Sequence, residues 1–332
     1  MPRVLFVNSS TQDYLADGLF HGLRTLLGAD AVDFPRAEYL YDTAPREFVS
    51  NLYGRGFTLY GLLPDLAVDR HHVLWRALAG EFDLVVFGDI WRSFGLWSEW
   101  GPRLAAGGVK LAVIDGSDAA KPYPYSWFWW RHRCWWFLPR AHNRARYFKR
   151  EITPSTRWYA SYLALPPPFG RTLGIRPISF AIPAEKIVSG PPDKDKDFPA
   201  HIVDEELARR LGANTRYAFA DEREYYADLQ RSRFGITTKR AGWDALRHYE
   251  IAANGAVPCF RELDRKPASC APVGLDRTNC ISYRDADDLL AQVEALDESR
   301  YAELQANALE WARTSTTVVR SRELLAACGL AV

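Results

Sequence analysis

The sequence predicts an α/β protein built from two Rossmann-like, doubly wound units that face each other across a cleft. Three observations carry that expectation. Short apolar runs rich in β-branched residues recur at Val4–Val7, Leu84–Phe87 and Leu111–Ile114, each ending in a polar loop, the pattern of parallel strands buried on both faces. Helical stretches separate them, which places a helix between successive parallel strands. The run LALPPPFGRTLG at Leu163–Gly174 then breaks the pattern, because three successive prolines continue neither a helix nor a central strand. The alternation restarts beyond it. The 332 residues exceed one ordinary core and suit two of about 150 residues each. The expected division is a first unit over 1–165 and a second over 166–332.

In chain order, Val4–Val7 leads through Asn-Ser-Ser into a helix over Leu15–Leu27, whose apolar residues fall at helical spacing before Gly28. Leu84–Phe87 and Leu111–Ile114 open into the loops GDIWRS and DGSD. In the second unit, strands are expected at Ile178–Ile182, Tyr217–Phe219, Phe234–Ile236 and Val257–Phe260. Helices are expected at Glu205–Leu211, Tyr225–Gln230, Asp244–Asn254, Asp287–Leu296 and Tyr301–Arg313. Ligands of such folds sit at the carboxyl ends of the strands. The loop residues Ser9, Ser10, Asp13, Asp89, Asp115, Ser117 and Asp118 are therefore the candidates for holding an acceptor, although Asp and Ser also cap loops by default. Asp118, and after it Asp13, are the choices for a base.

Composition narrows the classes. The chain is 48% hydrophobic and 25% charged with a net charge of +1, so no bulk field draws it to nucleic acid. Nucleic acid is not an expected partner. Five cysteines form no CxxC pair, which argues for a reducing compartment and against a zinc knuckle or disulfide framework. The apolar run at the N-terminus is too short for a signal peptide or membrane anchor. A cytoplasmic protein is expected. No metal is expected: Asp193 and Asp195 sit in a Pro/Lys loop, Asp285 and Asp287 open a helix, and the histidines are scattered. No GxGxxG follows the first strand, which argues against a dinucleotide cofactor, and no other cofactor is indicated.

The informative stretch is KRAGWDALRHYEIAANGAVPCF, Lys239–Phe260. Ala245, Leu246, Tyr249, Ala252 and Ala253 form an apolar stripe that packs on a sheet. Arg247, Glu250 and Asn254 share a second face, read as exposed. Asp244 is a suitable N-cap and Gly255 a suitable left-handed C′ residue. The front of such a helix attracts an anion such as a diphosphate, and Lys239 and Arg240 strengthen that site. Glu250 lies about 9 Å further along the helix by its 1.5 Å rise, within reach of a ribose on the same diphosphate. A carboxylate accepts from two vicinal hydroxyls. The plain alternative is an Arg247–Glu250 pair on a wet surface.

The same residues resemble the donor-binding half of the GT-B glycosyltransferases, above all the spore-maturation-protein and exostosin-like branches. Their pattern of a small residue, Asp, Arg, Glu and Ala-x-Gly-x-x-Pro falls here on Gly242, Asp244, Arg247, Glu250, Ala253, Gly255 and Pro258. The resemblance implies a GT-B fold, a nucleotide-diphosphate sugar as donor and Glu250 as the ribose-holding residue. With no metal-ligand pattern in the chain, the expected reaction is a metal-independent transfer, and the expected acceptor is a sugar, lipid-linked or polyanionic molecule. Retaining relatives often carry a second glutamate where this chain has Gly242, so retention is not implied. A non-catalytic glycan- or nucleotide-binding protein on the same scaffold is the alternative.

Residues 126–150, SWFWWRHRCWWFLPRAHNRARYFKR, interleave aromatic rings with cations. Such a segment suits either a membrane surface or polyanionic acceptor, or a helix between the units with tryptophans inward and arginines outward.

Overall fold

The computed structural model describes residues 1–9, 11–123, 144–156, 174–216 and 218–332. Six parallel strands make the first sheet: β1 (Val4–Val7), β2 (Ala31–Phe34), β3 (Leu84–Phe87), β4 (Leu111–Asp115), β5 (Arg146–Lys149) and β6 (Ile175–Pro177), in the order β2-β1-β3-β4-β5-β6. Alternate residues feed two cores. Val4, Phe6, Leu84, Val86, Ala112 and Ile114 face α1 (Tyr14–Leu27). Leu5, Val7, Val85, Phe87 and Val113 face the indoles of Trp97 and Trp100 on α4 (Phe94–Ala106), the arrangement that parallel strands covered on both faces require. Two shorter helices, α2 (Arg46–Ser50) and α3 (Val73–Leu78), lie between β2 and β3.

The second sheet is smaller. Its strands β7 (Phe234–Thr238), β8 (Val257–Arg261) and β9 (Ile281–Tyr283) are parallel in that order. Around it stand α5 (Glu205–Leu211), α6 (Glu222–Arg231), α7 (Leu246–Ala253), α8 (Ala286–Glu294) and α9 (Glu298–Thr314). Cys259 faces the core under α5 and α8, while Phe260 faces Tyr249 and Trp311 on the opposite side. The final helix, α10 (Thr317–Ala327), leaves this unit and packs on α1, placing Leu324 and Leu325 in the core of the first sheet.

Several expectations need correction. The run Ile178–Ile182 is not a strand of a sheet: pairing ends at Pro177, and Ile182 then exchanges backbone hydrogen bonds with Ser315 and Thr317. Ala218 and Phe219 belong to no strand; Phe219 packs its ring on Tyr225 instead. Tyr217, Ser10 and the expected boundary at 165/166 lie outside the described residues. So does most of the aromatic and cationic segment, but its last residues form β5. Lys149 is fully buried against Asp115, with 3.1 Å between Nζ and Oδ2. It is unavailable to a membrane or polyanion.

Gly22 lies where α10 crosses α1. A Cβ there would run into the Thr317 carbonyl oxygen, whereas one at Gly18 would find only ordinary contacts from 3.8 Å. Gly22→Ala is expected to lower stability by about 1–3 kcal/mol through overpacking. Gly18→Ala should be neutral or gain up to about 1 kcal/mol from helix propensity. Urea denaturation of both variants checks the crossing.

Candidate active site

A cleft of about 1260 Å³ runs between the two units, at the carboxyl ends of the first sheet. The loops after β1, β3 and β4 bring Asp13, Asp89 and Asp118 to its wall, and α7 with the loop before it brings Arg240, Asp244, Arg247 and Glu250. Sequence-predicted residues from both halves thus meet in one cavity. Lys239 is not among the lining residues; its Nζ lies 5.1 Å over the ring of Trp243.

On the second unit's side, α7 begins at Leu246, two residues later than its sequence indicates, with Ala245 at the N-cap and no side chain capping it. Asp244 does not cap because tertiary partners take its carboxylate. Oδ2 accepts from the Phe180 N–H at 2.8 Å, and Oδ1 accepts from the Tyr249 hydroxyl at 3.1 Å. Burial pushes its pKa up to about 6, opposed by the charge of Arg150. The uncapped front of α7 therefore opens toward the cleft with its amide dipoles unspent on a side chain. The exposed-face reading also needs correction. Glu250 is buried, with only 9% of its surface exposed, and no ion pair joins it to Arg247 within 4.0 Å among the described residues. Arg247 Nη1 is buried without a partner there, as is His201 Nδ1. Burial and then the Arg247 charge lower His201 to about 4, so its imidazole is neutral near pH 7. These two polar groups and the open front of α7 line the same cleft.

Glu250 itself accepts at Oε1 from Thr58 Oγ1 at 2.5 Å and at Oε2 from the Tyr225 hydroxyl at 3.0 Å. Burial raises its pKa. Thr58 and Tyr225 carried no usable signal in sequence, since each meets Glu250 from a distance along the chain, and nothing local brings His201 to the cleft.

On the first unit's side the three aspartates differ. Asp118 is held by Arg150 in a tight ion pair. Asp13 caps α1, its Oδ1 accepting from the Leu15 and Ala16 amides at 3.1 and 2.8 Å. Asp89 is 5% exposed, and its Oδ2 lies 3.3 Å from Arg92 Nε. Burial, and after it the charge of Asp13, raise Asp89 to about 6. Asp115 lies beneath, fully buried, accepting from Trp91 Nε1 at 2.7 Å and the Tyr147 hydroxyl at 2.6 Å. It is a structural hub rather than a wall of the cleft. Among the described residues no three His, Cys, Asp or Glu side chains are grouped to hold a metal ion, and no helix is long and apolar enough to cross a membrane.

This architecture of two facing α/β units is the GT-B fold, and solved structures share it across the full chain. Anabaena HepE in complex with UDP-glucose superposes with a TM-score of 0.55 at 10% identity, covering 99% of this chain and 100% of that one. HepE with UDP gives a TM-score of 0.56 at 9% identity, covering 98% and 99%. The N-terminal domain of Candida albicans trehalose-6-phosphate phosphatase gives 0.51 at 10% identity, covering 99% and 96%. No protein-family model matches the chain, and no curated protein does.

The raised pKa of Asp89 has a consequence for stability. An unfolded aspartate titrates near about 3.9, so the protonated carboxyl favours the folded state. That contribution is complete below about 3.9 and is lost as pH rises toward the folded value. Asp89→Asn removes the loss while still able to accept from the Trp91 amide. It should raise stability at pH 7 by about 1–2 kcal/mol, allowing for the lost Arg92 pairing, and change little in acid. Thermal melts at both ends of that range check the sign.

Proposed function

We propose that the protein transfers a sugar from a nucleoside-diphosphate donor to a hydroxyl of an acceptor. The observation that carries this reading is the pairing, along one helix, of an anion cradle with a buried carboxylate that lines the same cleft. The cradle is the open front of α7 with Arg247 Nη1, and Arg240 beside it on the cleft wall. Glu250 lies further along that helix with acceptor capacity remaining. The complex of HepE with UDP-glucose supports it as a likeness of fold.

The donor's diphosphate lies over the front of α7, its ribose against Glu250. The acceptor hydroxyl enters from the first unit, where Trp91 and Tyr53 line the cleft and offer ring faces to a sugar. Its oxygen bonds to the anomeric carbon as the bond from that carbon to the phosphate oxygen breaks. The electron pair leaves on the diphosphate, where Arg240 and Arg247 neutralise the developing charge. We assign the hydroxyl's proton to Asp89. Its pKa near 6 matches a base working close to neutral pH; Asp118, paired with Arg150, and Asp13, which caps α1 through Oδ1, line the same cleft.

Uridine diphosphate should stabilise the protein by about 2.7 kcal/mol at 100 times its Kd. Glu250→Gln keeps the shape of the side chain and loses its charge, and should weaken UDP binding about 10- to 150-fold. Arg247→Gln should weaken UDP far more than uridine. Calorimetry on these variants is the test; normal affinity in Glu250→Gln defeats the assignment. A non-catalytic binder would bind UDP equally well but release no free sugar from UDP-glucose.

A further inference from the structure

Glu250 is held from two sides by residues remote from each other in sequence. Tyr225 belongs to α6 of the same unit, whereas Thr58 comes from the first unit, just beyond the turn at Tyr53–Gly56. Thr58 is 1% exposed, and its backbone is left-handed at φ 75°, a conformation a β-branched residue adopts only under strain. The surroundings hold it there. Its N–H donates to Glu222 Oε1 at 2.5 Å, and Glu222 pairs with Lys186 at 2.7 Å. Its hydroxyl lies 2.8 Å from that of Tyr226. The neighbouring ring of Phe57 stacks on Tyr225, with centroids 6.2 Å apart and an interplanar angle of 23°. A strained residue is thus fixed so that one hydroxyl meets one carboxylate of the other unit.

An ionised carboxylate has about four acceptor positions. Thr58 and Tyr225 occupy two of them, which leaves as many as a ribose has vicinal hydroxyls. We propose that Thr58 is a positioning residue for the donor. Its hydroxyl fixes the plane of the Glu250 carboxylate so that the free positions meet the ribose, and donor recognition depends on contact between the two units. This rests on the reading of Glu250 as the ribose-holding group.

The groups facing Glu250 are Arg247 on its own helix, Tyr225, Tyr226 and Glu222 on α6, and Thr58 from the first unit. Burial raises the carboxyl's pKa, and donation from Thr58 is the leading influence that lowers it. Donor hydroxyls bind the charged form, so binding fails as pH falls through this pKa. Removing the Thr58 hydroxyl raises the pKa, and the failure then begins at higher pH.

The experiment is calorimetric titration of UDP across pH into the wild type, Thr58→Val and Thr58→Ser, with a melting curve for each. The valine variant should bind about tenfold more weakly near neutral pH. Its acid limb should move to higher pH, and the serine variant should restore both. Titration of the UDP phosphate is common to all three. Should the valine variant melt below the assay temperature, Thr58→Ala replaces it. A folded variant with the wild-type acid limb overturns the role of Thr58 alone. A wild type that binds no UDP overturns both this role and the donor-site reading.

Discussion

A single buried guanidinium fixes how the two units meet. Arg150, 3% exposed at the end of β5, needs partners for every donor it carries, because an unpaired buried charge is costly. It finds them on both sides. Nε and Nη2 donate to the Gly116 carbonyl at 3.2 and 3.0 Å, Nη2 also pairs with Asp118, and Nη1 donates to the Asp244 carbonyl at 2.8 Å. The next residue repeats the pattern with opposite sign: Glu151 Oε1 accepts from the Trp243 and Asp244 amides at 2.8 and 3.3 Å. A cation and an anion adjacent in one strand end thus grip one loop of the other unit. That loop sets where α7 begins, and so where the cleft's open amides and Glu250 lie.

The same grip explains Gly242. A Cβ at that position would sit 2.5 Å from Glu151 Oε1 and 2.6 Å from Asp118 Oδ1. A side chain there would have to displace the two carboxylates. The lack of a side chain at Gly242 thus leaves room for the Glu151 and Asp118 carboxylates beside the loop.

How much of this could be read in sequence follows from where each residue's partners are. Val4–Val7 and Leu111–Ile114 were legible because a strand buried on both faces writes itself as a continuous apolar run. Arg146–Lys149 was not, because Arg146 and Lys149 look like surface; only the fold shows Asp115 waiting for Lys149. Ala31–Phe34 hides behind Asp33, whose charge is met by Arg70 at 2.6 Å from another loop. Arg247 and Glu250 were placed correctly on one helix by spacing alone, but periodicity cannot tell a wet face from the wall of a cleft. Asp244 has the chemistry of a cap, and its carboxylate is taken by Phe180 and Tyr249. Thr58 and Glu250 stand 192 residues apart, a contact no local pattern records.

The return of α10 to the first unit changes how the two units are joined. The backbone passes between the units near Ile182 and again near Thr316, and these passages are hydrogen-bonded side by side, Ile182 N–H to the Ser315 carbonyl and Thr317 N–H to the Ile182 carbonyl. The two covalent connections between the units thus lie at one place and are bonded to each other, while across the cleft side chains hold the units, Arg150 and Glu151 on the loop before α7 and Thr58 on Glu250.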